Sequence, residues 1–332
     1  MNNDYLGQLF ILGLSGRGLS SEFEGFFSGN RIGGVILFEE NFEGLADLRR
    51  LTSHIRSVAE VPPFVMIDQE VRGVNRIREN MPSLTDDALS NSLNSSLKVQ
   101  EAFSQTARTL KDSGINVQLA PVVDLPGGAD YHVLKGRCLG EDSKLVAQLG
   151  AVAVEAIQSE GISACAKHFP GLGKAREDPH FKLARVETSR EEWSQTDALP
   201  FERAISEGVH LIMSTHVICS PLDESLPATL SSRVIDDCLK RELGFEGLII
   251  TDDLTMRGIS ESHSIPEVAV EALTAGHHFL LICKDFEAQK EALESVRKAY
   301  MNRNLNRERV DQTISKILDF KKKYVHSQEI TA

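Results

Sequence analysis

The sequence has no surplus of basic charge. Lys and Arg number 36 against 48 Asp and Glu, for a formal charge of −12, and the isoelectric point is about 5.4. A basic face is the usual footprint of nucleic acid or anionic lipid binding, so neither is expected as the main partner. No Cys-x-x-Cys pair occurs, and the cysteines Cys138, Cys165, Cys219, Cys238 and Cys283 are odd in number and widely spaced. A disulfide framework or zinc ribbon is therefore not expected, and a reducing compartment is. The amino terminus, Met1-Asn2-Asn3-Asp4, lacks a positive segment, and the apolar stretch Leu9–Leu14 is too short for a signal peptide or a membrane span. The expected location is the cytoplasm, without membrane insertion. Also missing are a Gly/Ser linker, a long charge run and a low-complexity segment, so one domain over residues 1–332 is expected.

What the chain has is alternation. Short apolar runs at Leu9–Leu14, Gly34–Phe38, Phe64–Asp68, Val117–Asp124, Ser163–Phe169, His210–His216, Leu248–Asp252 and His278–Cys283 read as strands. Between them Ala46–Ala59, Leu97–Asp112, Ser143–Ser159, Glu191–Ser206, Ser231–Leu243 and Pro266–Ala275 carry apolar residues three and four apart, as one buried helix face requires. Eight strands alternating with helices predict a parallel sheet, here a single (β/α)₈ barrel of the TIM type. The segment from Phe286 to Tyr324 reads as two extra C-terminal helices parted near Asn302–Asn306.

In such barrels chemistry collects at the carboxyl ends of the strands. The third candidate strand ends in Asp68, the fourth in Asp124, the fifth in Lys167-His168, the sixth in His216 and the seventh in Asp252-Asp253. Any one of these reads equally well as a helix cap or a satisfied rim residue. Five together are harder to dismiss, because burying unpaired charge is costly. The chemistry stays open at this level. Lys167 suits a Schiff base, and Asp252, His168 and His216 suit a metal, although no His-x-His follows the first strand and no His-Glu-x-x-His occurs. Glycosidase, aldolase and metallohydrolase stand level.

Four segments resemble those of bacterial family 3 glycoside hydrolases that remove β-linked N-acetylglucosamine during cell-wall recycling. Lys167-His168-Phe169-Pro170-Gly171-Leu172-Gly173, then four residues, then Asp178-Pro179-His180 is similar to the family's K-H-F-P-G-H-G, four residues, D-[ST]-H. The resemblance implies that Lys167 and His168 bind sugar hydroxyls, and that His180 is the general acid/base oriented by Asp178. A loop imidazole titrates near neutrality, and a carboxylate fixes its tautomer, which suits that task. Taken alone, His180 would read as a surface loop residue.

Gly244 to Met256, with Thr251-Asp252-Asp253, resembles the family's nucleophile strand and implies Asp252 as nucleophile. Neighbouring strand side chains point to opposite faces, so Asp253 is expected to support the loop or cap the segment after the strand. Asp68-Gln69-Glu70 through Arg76 resembles D-x-E-G-G-R-V-x-R, and Gly136-Arg137-Cys138-Leu139-Gly140 resembles the arginine segment after the fourth strand. Asp68, Arg137, Arg76 and His216 are thereby implied as substrate-binding, with Glu70 and Asp124 in support.

The implied activity is that of a retaining exo-β-N-acetylglucosaminidase acting on muropeptide fragments through a covalent glycosyl-enzyme. It needs no cofactor and no metal, and a monomer is expected to act on a small carbohydrate. Four positions depart from the family pattern: Val71-Arg72-Gly73 for Gly-Gly-Arg, Leu172 for His, Pro179 for Ser/Thr, and His278 for Asp. They leave room for a slow or silent sugar-binding barrel, and a β-N-acetylglucosaminide phosphorylase is a third reading.

Overall fold

The computed structural model describes residues 3–325 apart from 80, 91, 128–133, 176–177, 180 and 262. Ten strands are described: β1 Phe10–Gly13, β2 Gly34–Leu37, β3 Phe64–Ile67, β4 Val117–Gln118, β5 Ser163–Phe169, β6 Ala184–Val186, β7 Leu211–Ser214, β8 Val217–Cys219, β9 Leu248–Asp253 and β10 Phe279–Ile282. Eight of them close a barrel in the order β1-β10-β9-β7-β5-β4-β3-β2. Every described neighbouring pair is parallel, and the ring is sealed by Phe10 against Leu280 and Ile11 against Gly34. This is the (β/α)₈ architecture expected from the sequence. The near-continuous apolar runs follow from it, since parallel strands are covered by side chains inside and by helices outside. All eight barrel strands are buried along their length apart from Asp252 and Asp253 at the tip of β9.

The fourth strand is shorter than the expected run Val117–Asp124. Pro121 has no N–H to give to a ladder, so the regular pairing stops at Gln118. The chain rejoins β5 through a single bridge between Val122 and Lys167, with Val123 N donating to Lys167 O at 2.9 Å. That irregular path delivers Asp124 beside the end of β5.

Helix Ser143–Ser159 has the expected bounds, started by the Asp142 side chain, which accepts from Leu145 N. The expected helix Glu191–Ser206 is two helices, Arg190–Gln195 and Ala198–Ser206. Pro200 is the reason: in one continuous helix it would delete a backbone bond and clash with the preceding turn, whereas in a new first turn no donor is needed. The stretch expected at Ser231–Leu243 is a π-helix over Arg233–Glu242.

Two helices, Phe286–Met301 and Arg307–Tyr324, follow β10. The second closes the amino-terminal end of the barrel. There Lys321, 1% exposed, gives its ammonium to Gln8 Oε1 and Gly33 O, both at 2.7 Å. Burial pushes its pKa well below the ordinary lysine value.

β6 and β8 pair in parallel as a separate two-stranded sheet, Ala184 against Val217. Three-residue strands carry too short an alternation to be seen in the sequence. They matter because β6 comes directly after the 170–183 loop, so the sheet ties that loop to the segment after β7. No helix among the described residues is long and apolar enough to cross a membrane, and all five cysteines are free and buried.

Candidate active site

A cavity of about 330 Å³ opens at the carboxyl ends of the barrel strands, lined among others by Asp68, Arg76, Arg137, Lys167, His168, Asp178, Asp252 and Asp253. Residues from the ends of β3, β5 and β9 and from three loops thus meet on one concave surface.

Its charged floor is a lattice of two carboxylates and three cations, with Lys167 and Glu70 buried and Asp68, Arg76 and Arg137 half-buried. Lys167 pairs with Asp68 and, at 2.9 Å, with Glu70 Oε1. Arg137 forks onto Glu70, Nε to Oε2 at 3.1 Å and Nη2 to Oε1 at 2.8 Å. Arg76 Nη2 stands 3.5 Å from Asp68 Oδ2 and its guanidinium lies over the Phe38 ring at 5.1 Å. Burial works to raise the Asp68 pKa, but Lys167, Arg137 and Arg76 outweigh it and hold the carboxyl down to about 2. Burial likewise opposes the charge of Lys167, and Asp68 and Glu70 reverse the effect and raise its pKa. Lys167 is therefore a protonated hydrogen-bond donor, the wrong state for the Schiff-base nucleophile that its position alone allowed.

Beneath this floor Asp124 organises the end of β5. One oxygen, Oδ2, accepts from His168 N at 3.0 Å and lies 2.7 Å from His168 Nδ1, while Oδ1 accepts from Leu172 N at 2.7 Å. The turn is packed from outside by Trp193, whose Nε1 donates to Pro170 O at 2.9 Å.

The two carboxylates at the end of β9 both border the cavity, but their surroundings differ. Asp253 accepts at Oδ1 from Thr255 N and from Cys283 N, each at 3.0 Å, and at Oδ2 from Thr255 Oγ1 at 2.6 Å. Asp252 accepts at Oδ1 from Asp253 N at 2.8 Å. Its other oxygen has no donor among the described residues, and the residue is half-buried at the cavity wall.

Most of the candidates read from the sequence meet at this cavity: Asp68, Arg76, Arg137, Lys167, His168, Asp178 and Asp252. His216 does not line it. It is fully buried, with Nδ1 2.7 Å from Thr229 Oγ1 and Nε2 2.9 Å from Asp253 O, so both ring nitrogens are occupied in bracing the end of β9. His180 lies outside the described residues; its neighbours Asp178 and Pro179 are at the cavity wall. Phe38, Met213 and Met256 are among the apolar residues that also line it. They were missed because an apolar residue at a strand end looks like core in sequence.

The departures also resolve into contacts. Arg72 turns away from the cavity to Asp86 Oδ1 at 2.5 Å and Gly136 O at 3.4 Å. Gly73, at φ +80°, leaves a gap that a Cβ would close to 2.3 Å from Arg137 Cγ, so this glycine is what lets Arg137 reach Glu70. Leu172 is buried at the wall. His278 uses neutral Nδ1 to accept from Ile249 N at 2.9 Å, a bond a carboxylate could equally accept.

A parallel (β/α)₈ barrel that gathers carboxylates and cations around one cavity at its strand ends has the architecture of an enzyme. Residues 4–320 match the glycosyl hydrolase family 3 N-terminal domain. The chain belongs to that family and is a glycoside hydrolase. It is similar to the β-hexosaminidase of Nitrosomonas eutropha, 34% identical over 298 residues, 88% of this chain and 85% of that one. The β-hexosaminidase of Alkalilimnicola ehrlichii is 34% identical over 85% of this chain and 82% of its own. Among solved structures, a family 3 β-N-acetylglucosaminidase from Paenibacillus sp. str. FPU-7 superposes with a TM-score of 0.94 at 31% identity over 100% of this chain. The chain spans 64% of the length of that protein.

Proposed function

We propose that the chain is a retaining exo-β-N-acetylglucosaminidase that releases a terminal β-linked N-acetylglucosamine, with Asp252 as nucleophile and His180 as general acid/base oriented by Asp178. The observation that carries the reading is the contrast at the tip of β9. Asp253 is saturated by three donors, while Asp252 presents an oxygen without a donor to the cavity. A space of about 330 Å³ is at the small end of ligand sites, which favours one sugar ring and hence exo cleavage. Asp68, Lys167 and Arg137 offer an acceptor and two donors to its hydroxyls.

The reaction has two displacements. Asp252 attacks the anomeric carbon from one face while the glycosidic C–O bond breaks and the leaving oxygen takes the His180 proton. Water, deprotonated by His180, then attacks the same carbon and releases Asp252, so two inversions give net retention. The similarity to β-hexosaminidases supplies the N-acetyl group and the hexosaminide class. The muropeptide aglycone, cytoplasmic location and monomeric state belong to the same proposal.

The test is hydrolysis of 4-nitrophenyl N-acetyl-β-glucosaminide, run beside Asp252→Ala and the corresponding β-glucoside. The reading expects turnover that requires Asp252 and the N-acetyl group. Equal rates from Asp252→Ala, or no turnover by folded protein, would sink it.

A further inference from the structure

The short helix Arg257–Ser260 is separated from the nucleophile strand by only a tight turn. Met256 N bonds Asp253 O at 3.0 Å, Thr255 is fastened to the Asp253 carboxylate, and Ile259 N and Ser260 N return to Met256 O. From Asp253 to Gly258 the chain is therefore bonded to itself at nearly every step. The first-turn amide of Gly258 has no acceptor within the helix, and it donates at 2.9 Å to the carbonyl of Pro179. Pro179 belongs to a turn closed by Phe181 N and Lys182 N on Asp178 O, at 2.9 and 3.0 Å. Asp178 and Pro179 border the same cavity as Asp252.

Gly258 has an ordinary backbone conformation, so it is not there for a left-handed turn. Its missing side chain is what counts. A Cβ at this position would stand 2.4 Å from Pro179 O and 3.0 Å from Lys182 O, both backbone atoms that cannot rotate away. Any larger residue must lift the Asp178–Lys182 turn off the helix.

We propose that Gly258 is a positioning residue for the acid/base step: it seats the Asp178–Pro179 turn against the nucleophile strand and so fixes the spacing between that turn and Asp252. The inference rests on the reading that this turn serves proton transfer to the leaving group. It assigns the seat to a glycine that touches no substrate.

Gly258→Ala in the full chain tests it, with the phenyl and 2,4-dinitrophenyl N-acetyl-β-glucosaminides as substrates. The phenyl leaving group needs a proton and the dinitrophenyl group does not. The variant is expected to lose roughly tenfold to a hundredfold in kcat/KM on the phenyl glycoside, part of the 10²–10⁴ that general acid catalysis contributes. On the dinitrophenyl glycoside kcat/KM should stay within about threefold, while kcat and KM fall together because the second displacement still needs the base. An unchanged ratio of the two kcat/KM values would overturn the proposal. Should the variant not fold, amide exchange in the unaltered protein decides. Slow exchange at Gly258 N is expected, and exchange at the rate of an unprotected amide would overturn the seat. Unaltered protein inactive on both glycosides would instead overturn the functional reading, a separate outcome.

Discussion

Asp124 holds His168 twice with one oxygen: Oδ2 accepts the backbone N–H at 3.0 Å and stands 2.7 Å from ring Nδ1. The carboxylate thereby sets both where the backbone of His168 runs and which ring nitrogen carries the proton. Removing the carboxylate by Asp124→Ala frees His168 N, His168 Nδ1 and Leu172 N at once in a fully buried place. The expected cost is about 3–5 kcal/mol of stability, the range for deleting one partner of a buried charged network. Urea unfolding measures it, and a loss under about 1 kcal/mol would show that solvent replaces the carboxylate.

Glu70 is a different kind of support. It is 5% exposed and bridges Lys167 and Arg137, so it aims two cations at the cavity without lining it. Glu70→Gln keeps the shape and removes the charge that fixes the guanidinium fork. We expect KM for an aryl N-acetyl-β-glucosaminide to rise about tenfold, the equivalent of about 1.4 kcal/mol, with a smaller change in kcat. A kcat loss at unchanged KM would place Glu70 in the chemical step instead.

Much of this arrangement was legible in the sequence because barrels separate their signals. Apolar runs such as Phe64–Ile67 and Leu248–Ile250 announce strands, and a charged residue directly after them announces the mouth. Contacts made across the fold were not legible. His216 stands at a strand end like Asp68 does, and nothing in its local pattern tells that its ring turns toward Thr229 and Asp253 O. The seat of Pro179 on Gly258 joins residues far apart in the chain. The sheet of β6 and β8 lacked enough residues for any periodicity. The broken helix was legible in principle, since Pro200 is visible, but an amphipathic pattern that continues through Thr196-Asp197 masks the break.

Two buried histidines, His277 and His278, and the half-buried His210 set the response to acid. Burial pushes His277 down to about 3 and His210 to about 4, and it takes His278 well below the ordinary value. His277 Nδ1 lies 3.0 Å from Ala272 O and Nε2 lies 2.7 Å from Ser214 Oγ, the bonding of a neutral ring. Because the folded pKa lies below the unfolded one near 6.5, the folded state binds fewer protons. Its contribution is complete above about pH 6.5 and is lost as pH falls toward the folded value, at up to about 1.4 kcal/mol per pH unit for each fully buried ring. Unfolding free energy should therefore drop between pH 7 and 5, and His277→Gln should flatten that slope by about one proton. An identical slope in the variant would remove His277 from the account.

Asp252 and Asp253 are adjacent in sequence and alike in chemistry, yet their substitution should produce opposite phenotypes. Asp253 receives three hydrogen bonds and joins the end of β9 to Thr255 and to Cys283 on the neighbouring strand end. Asn there can keep its oxygen on the two backbone N–H groups and turn its NH2 to Thr255 Oγ1, which then accepts, so what is lost is the charge of the acceptor. Asp253→Asn should lower stability by about 1–2 kcal/mol, the difference between bonds to a charged and to a neutral acceptor. Its activity loss should be moderate, with the order of substrate preference kept. Asp252 has a single backbone donor, so Asp252→Asn should leave the thermal midpoint nearly unchanged while removing the nucleophile, a fall of at least a thousandfold in kcat, equivalent to about 4 kcal/mol of barrier. Melting curves and turnover measured on the same two preparations separate the cases. A stable, inactive Asp253→Asn beside an active Asp252→Asn would reverse the assignment, moving the nucleophile one residue along the strand.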